Sequence, residues 1–210
     1  MKRFIISSLI VFLFLTTYSA VMGKENLSME DSAGWNLRKD KNGIKVYTRD
    51  HKNEGILEYL AITTVDATIE KLAEIIHDVE NYPDWTENCE TASVYKILSD
   101  SSRVEYMTTK VPWPLEDRDV VMEFIVSSHT NEYFEAILRS VPDAVPESED
   151  YVRIHISEGN WIFKEIGENK VEVIHQFLSE PGGNIPMWIV NMFIVSGPYK
   201  TLLNLKHLCQ

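Results

Sequence analysis

The chain has 210 residues and carries 32 acidic against 20 basic side chains, which gives a formal net charge of −12 at pH 7. An acidic surface repels phosphate groups, so it argues against nucleic-acid partners and against docking on anionic membranes by charge alone. The length favours a single domain with a core large enough to enclose a cavity.

The first residues have the layout of a secretory signal peptide. Two basic residues precede an apolar run at 4–15, and the small residue Gly23 offers a cleavage position. We therefore expect residues 1–23 to be removed and residues 24–210 to form an exported domain, periplasmic or secreted. An uncleaved membrane anchor is the alternative, because the stretch 4–22 is nearly long enough to span a bilayer.

Two cysteines, Cys89 and Cys209, leave the thiol state open. Export would permit a disulfide between them. A domain of this size does not need such a cross-link to hold its core, so two free thiols are favoured.

Two strands and a helix are predicted in the first third of the chain. The strands are expected at Ile44–Asp50 and Leu57–Val65, joined by a polar turn. Apolar residues then recur with helical spacing over 68–79, opposite charged ones. Either Asp66 or Thr68 can cap this helix.

The middle of the chain has the residue pattern of several β-strands. Strands are predicted at 92–98, 103–110, 120–129, 133–140, 151–163 and 170–178. Their spacing and polar turns favour an antiparallel meander, with no parallel βαβ alternation. The apolar alternation changes phase between Ile156 and Trp161, which predicts a β-bulge at 157–159.

The chain ends in a predicted long helix, after a break at 181–183. Apolar side chains recur along it at helical spacing: Ile185, Trp188, Ile189, Met192, Val195, Tyr199, Leu202 and Leu203. We expect Gly197 and Pro198 to kink the helix, since proline has no N–H to donate. The segment 187–195 is apolar almost all round, so it is buried on two sides or faces something other than water.

This order of elements indicates an α+β fold. Two strands, a helix and about six strands precede the terminal helix. A curved antiparallel sheet wrapped around that helix buries both apolar sets together. Such an arrangement often encloses a cavity, which is typically apolar with a few polar anchors.

A proline-containing loop joins two of the predicted strands. Pro112 and Pro114 lack backbone donors, which excludes a helix or a central strand here. The loop presents Trp113 and Leu115 at its tip and an acid–base–acid cluster, 117–119, at its exit. We interpret this cluster as a local ion-pair and turn-capping arrangement.

Four segments carry a family resemblance. They are Val-x-x-Tyr-Pro-x-Trp at 79–85, Pro-Trp-Pro-Leu-x-x-Arg-Asp at 112–119, Gly-x-Trp at 159–161 and Pro-Gly-Gly-x-Ile-Pro-x-Trp at 181–188. Together they resemble the bacterial branch of the START-domain proteins, the helix-grip lipid-binding superfamily. The resemblance implies binding or transfer of a lipid or other hydrophobic molecule in an internal cavity.

The resemblance also implies a gate. The loop 111–118 and the terminal helix would lie against each other over the cavity mouth and separate to admit the ligand. Gly182-Gly183 or Gly197-Pro198 would serve as hinges, and transient membrane contact is expected. Candidate ligand-binding residues are Glu105, Met107, Trp113, Leu115, Arg118, Trp161, Trp188, Met192, Val195 and Tyr199.

Two of these residues have alternative interpretations. Glu105 lies on the same strand face as Met107 and Thr109, so it is a polar anchor if that face is concave and a water-facing residue if it is not. Arg118 is expected to be structural, with bidentate contact to an acidic or carbonyl group of a ligand as the alternative.

Motifs for catalysis and metal binding are absent from the sequence. The six histidines are scattered without metal-ligand spacing, and neither a nucleophile elbow nor a phosphate loop occurs. We therefore expect a monomeric binding protein that uses no cofactor or metal. An enzyme of the cyclase or dehydratase type, using Glu105, Arg118, His155 and His175 as acid–base groups, is one alternative. A quinone-binding or chaperone-like interaction module, which would need a large exposed apolar patch, is another.

Overall fold

The computed structural model describes residues 34–50, 57–180 and 185–210. The predicted signal peptide and the Gly182-Gly183 hinge lie outside these residues. Within them, ten strands form one sheet. The strands are β1 (Trp35–Lys41), β2 (Ile44–Asp50), β3 (Leu57–Val65), β4 (Cys89–Ser99), β5 (Ser102–Thr109), β6 (Arg118–His129), β7 (Tyr133–Ser140), β8 (Val152–Ile154), β9 (Ile156–Gly167) and β10 (Lys170–Glu180).

Helices follow β3 and end the chain. They are α1 (Ile69–His77), α2 (Tyr82–Trp85), α3 (Met187–Asn191), a π-helical segment (Met192–Ser196) and α4 (Gly197–Leu208), with single 3₁₀ turns at Val79–Asn81 and Pro142–Ala144. The last three helical segments follow one another without a break. The expected α+β class, with a sheet and a long terminal helix, is confirmed.

The order of strands across the sheet is β1-β2-β3-β10-β9-β7-β6-β5-β4, and all these neighbours are antiparallel. The short strand β8 lies off this path and pairs with β6 in parallel. The predicted antiparallel meander is therefore confirmed along the main path of the sheet, and the short β8 adds one parallel pair to it. β8 lies beside the beginning of β6, next to the proline-containing loop.

The strand β1 was not predicted, although its turn has a clear signal. Asn42 and Gly43 both have positive φ and connect Lys41 to its partner Ile44 in a two-residue hairpin. Asn-Gly is the sequence that such a turn favours. The strand itself is polar and largely exposed, so it lacks the apolar alternation that identified the others.

The predicted bulge at 157–159 was wrong. β9 pairs with β7 and β10 in unbroken register through these residues. Instead, the predicted strand 151–163 is divided at His155, where the chain leaves β6 and joins β7 and β10. The apolar alternation fails because Ile156 faces outward while the buried position beside it is Ser157.

Two helices cover the sheet and form the core with it. Thr68 caps α1 by accepting a hydrogen bond from the Lys71 N–H at 3.2 Å, as one of the two expected caps. Leu72 and Ile76 of α1 and Leu202 and Leu205 of α4 belong to one buried apolar cluster. α4 packs against β2 and β3, and α1 against β7 and β9.

The terminal helix changes its hydrogen bonding where a kink was expected. Its five π-helical residues immediately precede Gly197 and Pro198, and the Gly197 N–H reaches back to the carbonyl of Met192. A π-helical turn accommodates the missing proline N–H without ending the helix. Residues 188–196 are less buried than expected, because only Ile189 among them is fully enclosed.

Cys89 and Cys209 are free thiols, each partly buried against the core. Burial raises the pKa of the Cys89 thiol to about 11 and raises that of Cys209 as well. Both therefore remain protonated at neutral pH, which makes them poor nucleophiles.

No described helix combines the length and apolar character that crossing a membrane requires.

Among the described glycines of the sheet, Gly159 is the one whose replacement by a larger residue is tolerated least. A Cβ there would lie 2.5 Å from the Gln176 carbonyl oxygen and 2.6 Å from the Phe177 ring. We expect Gly159→Ala to lower the free energy of unfolding by about 1–3 kcal/mol in urea titrations. Gly167→Ala, whose Cβ would meet only Lys170 at 3.9 Å, should stay within about 0.5 kcal/mol. Equal effects of the two substitutions would contradict this packing argument.

Candidate functional site

A cavity of about 220 Å³ lies between the sheet and the terminal helix. Side chains from every strand from β3 to β10 line it, together with α2, the segment after it and the helix from Phe193 to Thr201. Most of this lining is apolar. The cavity is the space that remains between the curved sheet and the terminal helix around which it wraps.

Strand alternation selects which side chains reach the cavity. Every second residue of a strand points to the same face, and three strands contribute in this way. The contributing sets are Glu105, Met107 and Thr109 of β5; Arg118, Val120 and Met122 of β6; and His175, Phe177 and Ser179 of β10. The face of β5 that carries Glu105 is therefore the concave one.

The ten candidate ligand-binding residues divide into two groups. Four of them line the cavity: Glu105, Met107, Arg118 and Trp161. Six do not belong to its lining: Trp113, Leu115, Trp188, Met192, Val195 and Tyr199. The first group is placed where a ligand in the cavity could contact it, and the second is not. The ligand-binding role of all ten residues stays a prediction.

The helix faces the cavity with a neighbouring stripe, not with the one predicted. Its cavity-lining residues are Phe193, Ile194, Gly197, Pro198 and Thr201. Tyr199 is instead buried in the core, where its hydroxyl accepts a hydrogen bond from Asn42 at 2.9 Å. Only the later part of the predicted stripe, Tyr199 and Leu202, lies in the core, and the cavity receives the stripe beside it.

The contact between two cavity residues, His175 and Tyr59, was not predicted from the sequence. The His175 ring stacks on Trp161 with a centroid distance of 3.7 Å, and its Nδ1 is hydrogen-bonded to the Tyr59 hydroxyl at 3.1 Å. Burial lowers the pKa of His175 to about 3, and burial also raises the pKa of Tyr59. Both groups are uncharged at neutral pH. Their only sequence signal was the shared inward face of two adjacent strands.

Glu105 is the buried acidic residue of the cavity lining, which also includes the partly exposed Glu87. Its carboxylate accepts hydrogen bonds from the Arg103 guanidinium at 2.7 Å, and Arg103 also contacts His77 Nδ1 at 2.7 Å and the Ile76 carbonyl at 3.0 Å. Burial raises the pKa of Glu105 to about 7, although the Arg103 charge acts in the opposite direction. Arg103 itself is buried.

The acid–base–acid cluster at the loop exit is not a local ion-pair arrangement. Asp117 closes the base of the loop by accepting the Val111 N–H at 2.8 Å. Asp119 pairs instead with the remote Arg153, whose guanidinium donates to both carboxylate oxygens at 2.8 Å. Arg118 forms no ion pair with either acid. Asp119 is the next residue of the strand and points to the opposite face. The Asp117 carboxylate is bonded to the Val111 N–H and lies 3.4 Å from Lys110.

The loop tip and the start of the terminal helix expose two tryptophans. Trp113 is 89% exposed, and Trp188 is 56% exposed. The loop base reaches the cavity through Thr109 and Arg118, which are paired across β5 and β6.

No three His, Cys, Asp or Glu side chains gather into a possible metal site in the described part of the chain.

The raised pKa of Glu105 has a consequence for stability. In the folded protein the Glu105 carboxyl group keeps its proton up to about pH 7. In the unfolded chain its pKa has the ordinary value of 4.5, so the proton is released at lower pH. Stability from this group is therefore present at low pH and is lost as the pH rises through 7. Between pH 5.5 and 8 the wild type should lose about 2 kcal/mol more than Glu105→Gln.

Urea unfolding of both proteins at the two pH values measures this difference directly. Groups shared by the two proteins, among them His77 and His175, cancel in the comparison. Parallel pH profiles of the wild type and Glu105→Gln would contradict the raised pKa.

The chain matches the family model of the START domain over residues 18–209. An uncharacterized protein of Pseudomonas aeruginosa is 28% identical over 172 residues, which cover 82% of this chain and 85% of that protein. The phosphatidylcholine transfer protein of Rattus norvegicus is 25% identical over 184 residues, which cover 85% of each.

Solved structures give the same result. The crystal structure of a STAR-related lipid transfer protein fragment from Xanthomonas axonopodis has a TM-score of 0.76 at 29% identity and covers 85% of this chain and 100% of that one. An aromatase/cyclase from Streptomyces shares only the fold, at 11% identity and a TM-score of 0.50, covering 73% and 91%. Because the family model spans nearly the whole chain, the protein belongs to the START domain family.

Proposed function

We propose that this protein binds a lipid or other hydrophobic small molecule in the cavity and transfers it. The observation that carries the proposal is an apolar cavity, held between sheet and helix, with a few polar groups at fixed places. The relatives with functional names support it, since both the rat and the Xanthomonas proteins are named as lipid transfer proteins.

Entry of the ligand requires movement of the cavity wall. The volume of about 220 Å³ lies below the range of about 300–1,000 Å³ that is usual for ligand pockets. The segment 188–196 is the wall that moves most easily, because it buries only Ile189, whereas α4 buries six residues. We propose that this segment and the loop 111–117 separate to open the cavity.

Filling the cavity from the helix side tests the binding proposal. Ile194 lines the cavity, and its neighbour Val195 does not, although both are half-buried in the same π-helical segment. We expect Ile194→Trp to weaken equilibrium binding of a fluorescent acyl lipid at least tenfold, because the indole occupies ligand space. Val195→Trp should bind as the wild type does.

Fluorescence titration of delipidated protein measures both variants. Absence of binding by the wild type across phospholipids, sterols and fatty acids would refute the proposed function. Equal losses in the two variants would place the ligand elsewhere.

We propose transient membrane contact through Trp113 and Trp188. Both indoles are exposed, and indoles favour the interface of a membrane, where one end is apolar and the other wet. The net charge of −12 argues against attraction by anionic headgroups, so the contact would be made with uncharged or zwitterionic surfaces.

The two tryptophans should therefore affect the rate of transfer. We expect Trp113→Ala combined with Trp188→Ala to slow transfer of a fluorescent lipid between phosphatidylcholine vesicles several-fold, with equilibrium binding in detergent-free solution retained. Tyr95→Ala, which truncates another exposed aromatic, on the edge strand β4, is the control and should transfer at the wild-type rate. A rate unaffected by the double substitution would exclude this contact.

We favour binding over catalysis because the acid–base candidates are poorly placed for proton transfer. His155 is exposed and pairs with Glu147 at 3.5 Å, away from the cavity lining. The pKa of His175, lowered by burial to about 3, keeps that ring uncharged. Glu105 has a pKa of about 7, but its carboxyl group is already bonded to Arg103. A cyclase or dehydratase would need a free group with a pKa near neutrality.

The interaction-module alternative has one supporting observation. Four apolar side chains on the edge strand β4 are exposed: Val94, Tyr95, Ile97 and Leu98. In the described residues this strand pairs only with β5. The monomeric state expected from the sequence stays a prediction, and sedimentation of the purified protein would decide between a monomer and pairing of two such edges.

We also propose export of the domain 24–210 after removal of residues 1–23. The proposal rests on the amino-terminal sequence pattern alone. Amino-terminal sequencing of the protein purified from its native compartment would identify the first residue.

A further inference from the structure

Three arginines in the described residues are buried, and two of them have a carboxylate partner. Arg103 pairs with Glu105, and Arg153 pairs with Asp119. Arg118 is 5% exposed, yet no carboxylate of the described residues lies within ion-pair distance of it. A buried charge without a partner is costly, so proteins rarely keep one that has no use.

The contacts of Arg118 leave part of its guanidinium unsatisfied. One terminal nitrogen donates to the Glu116 carbonyl, and the buried Nε has no hydrogen-bond partner. Asp117 and Asp119, its sequence neighbours, are engaged with the loop base and with Arg153. The Arg118 side chain lines the cavity, so its free donors are available to a molecule inside it.

Two further orphaned polar groups line the same cavity. The Ser157 hydroxyl is fully buried without a partner, and so is the indole N–H of Trp85. A buried polar group without a hydrogen-bond partner destabilises the ligand-free protein. Three orphaned donors around one apolar cavity indicate a ligand that supplies acceptor oxygens.

We propose that the cavity selects a lipid with an anionic oxygen group, a carboxylate or a phosphate ester, and that Arg118 binds this group. The inference rests on the proposed function and adds the chemical class of the ligand. The guanidinium suits two-oxygen recognition of both groups. Ser157 and Trp85 donate to uncharged oxygens of the same lipid.

The position of Arg118 also orients the ligand. Arg118, Val120 and Met122 follow one another along the cavity face of β6, beginning at the base of the loop. The anionic group therefore lies nearest the loop 111–117, and the acyl chain extends along the apolar residues further from it. This orientation brings the polar end of the lipid to the proposed entrance.

Paired ligands test the selection. Binding of oleate and of methyl oleate, which differ only in the charged group, is measured on delipidated wild-type protein and on Arg118→Met. The wild type should prefer oleate by tenfold or more, and the ratio should fall to about one in Arg118→Met. Phosphatidate against diacylglycerol provides the phosphate arm. Lys110→Met removes an exposed cation near the loop and should keep the wild-type ratio.

The outcomes separate this inference from the function on which it rests. Methyl oleate bound as tightly as oleate by the wild type, and diacylglycerol as tightly as phosphatidate, would overturn the anion site and leave lipid binding intact. Failure of all four lipids to bind would overturn both. Binding of inorganic phosphate alone, lost in Arg118→Met, would assign the site to a free anion and refute a lipid ligand.

A stability measurement distinguishes ligand binding from a structural role. If Arg118 serves the ligand, Arg118→Met removes an unpaired charge, and the urea midpoint of the ligand-free protein stays the same or rises. Arg153→Met, which leaves the buried Asp119 carboxylate without its ion-pair partner, should lower the urea midpoint strongly. An Arg118→Met midpoint as low as that of Arg153→Met would make Arg118 a loop anchor and overturn the proposal.

Discussion

The buried ion pair between Asp119 and Arg153 fixes the geometry on which the cavity depends. Both side chains are almost fully enclosed, and the guanidinium donates to both carboxylate oxygens. Its remaining donors meet the carbonyls of Pro142, Val145 and Pro146. A buried pair is stable only when it is satisfied in this way. The pair therefore holds β8, the start of β6 and the loop after β7 in one arrangement.

This pair also determines where Arg118 points. Adjacent residues of a strand face opposite sides, so a fixed Asp119 directs Arg118 to the cavity. The three buried arginines thus have different roles that their burial alone does not reveal. Arg153 links strands, Arg103 holds Glu105 at the cavity wall, and Arg118 keeps donors free there.

The fold could be predicted because its elements carry strong local signals. The helical period and the Thr68 cap identify α1, and the period-two pattern identifies the long strands. β1 lacked an apolar face, and β8 is too short to show a period, so neither was separable from its surroundings. The stripe of the terminal helix was predicted correctly at Tyr199 and Leu202, which lie in the core, and wrongly at Trp188, which is exposed. Periodicity identifies an apolar face but does not tell whether it meets the sheet or the cavity.

The failed alternation in β9 is the most informative error. A strand that lines only a core would place apolar residues at each inward position, but here those positions include Ser157 and Gly159. The bulge was inferred to restore a regular pattern, whereas the backbone is regular and the side chains depart from it. Gly159 allows the Phe177 ring to lie close over the strand, and Ser157 keeps an unused hydroxyl in the cavity. Local rules are broken most readily at functional sites, so this departure itself marks the cavity wall.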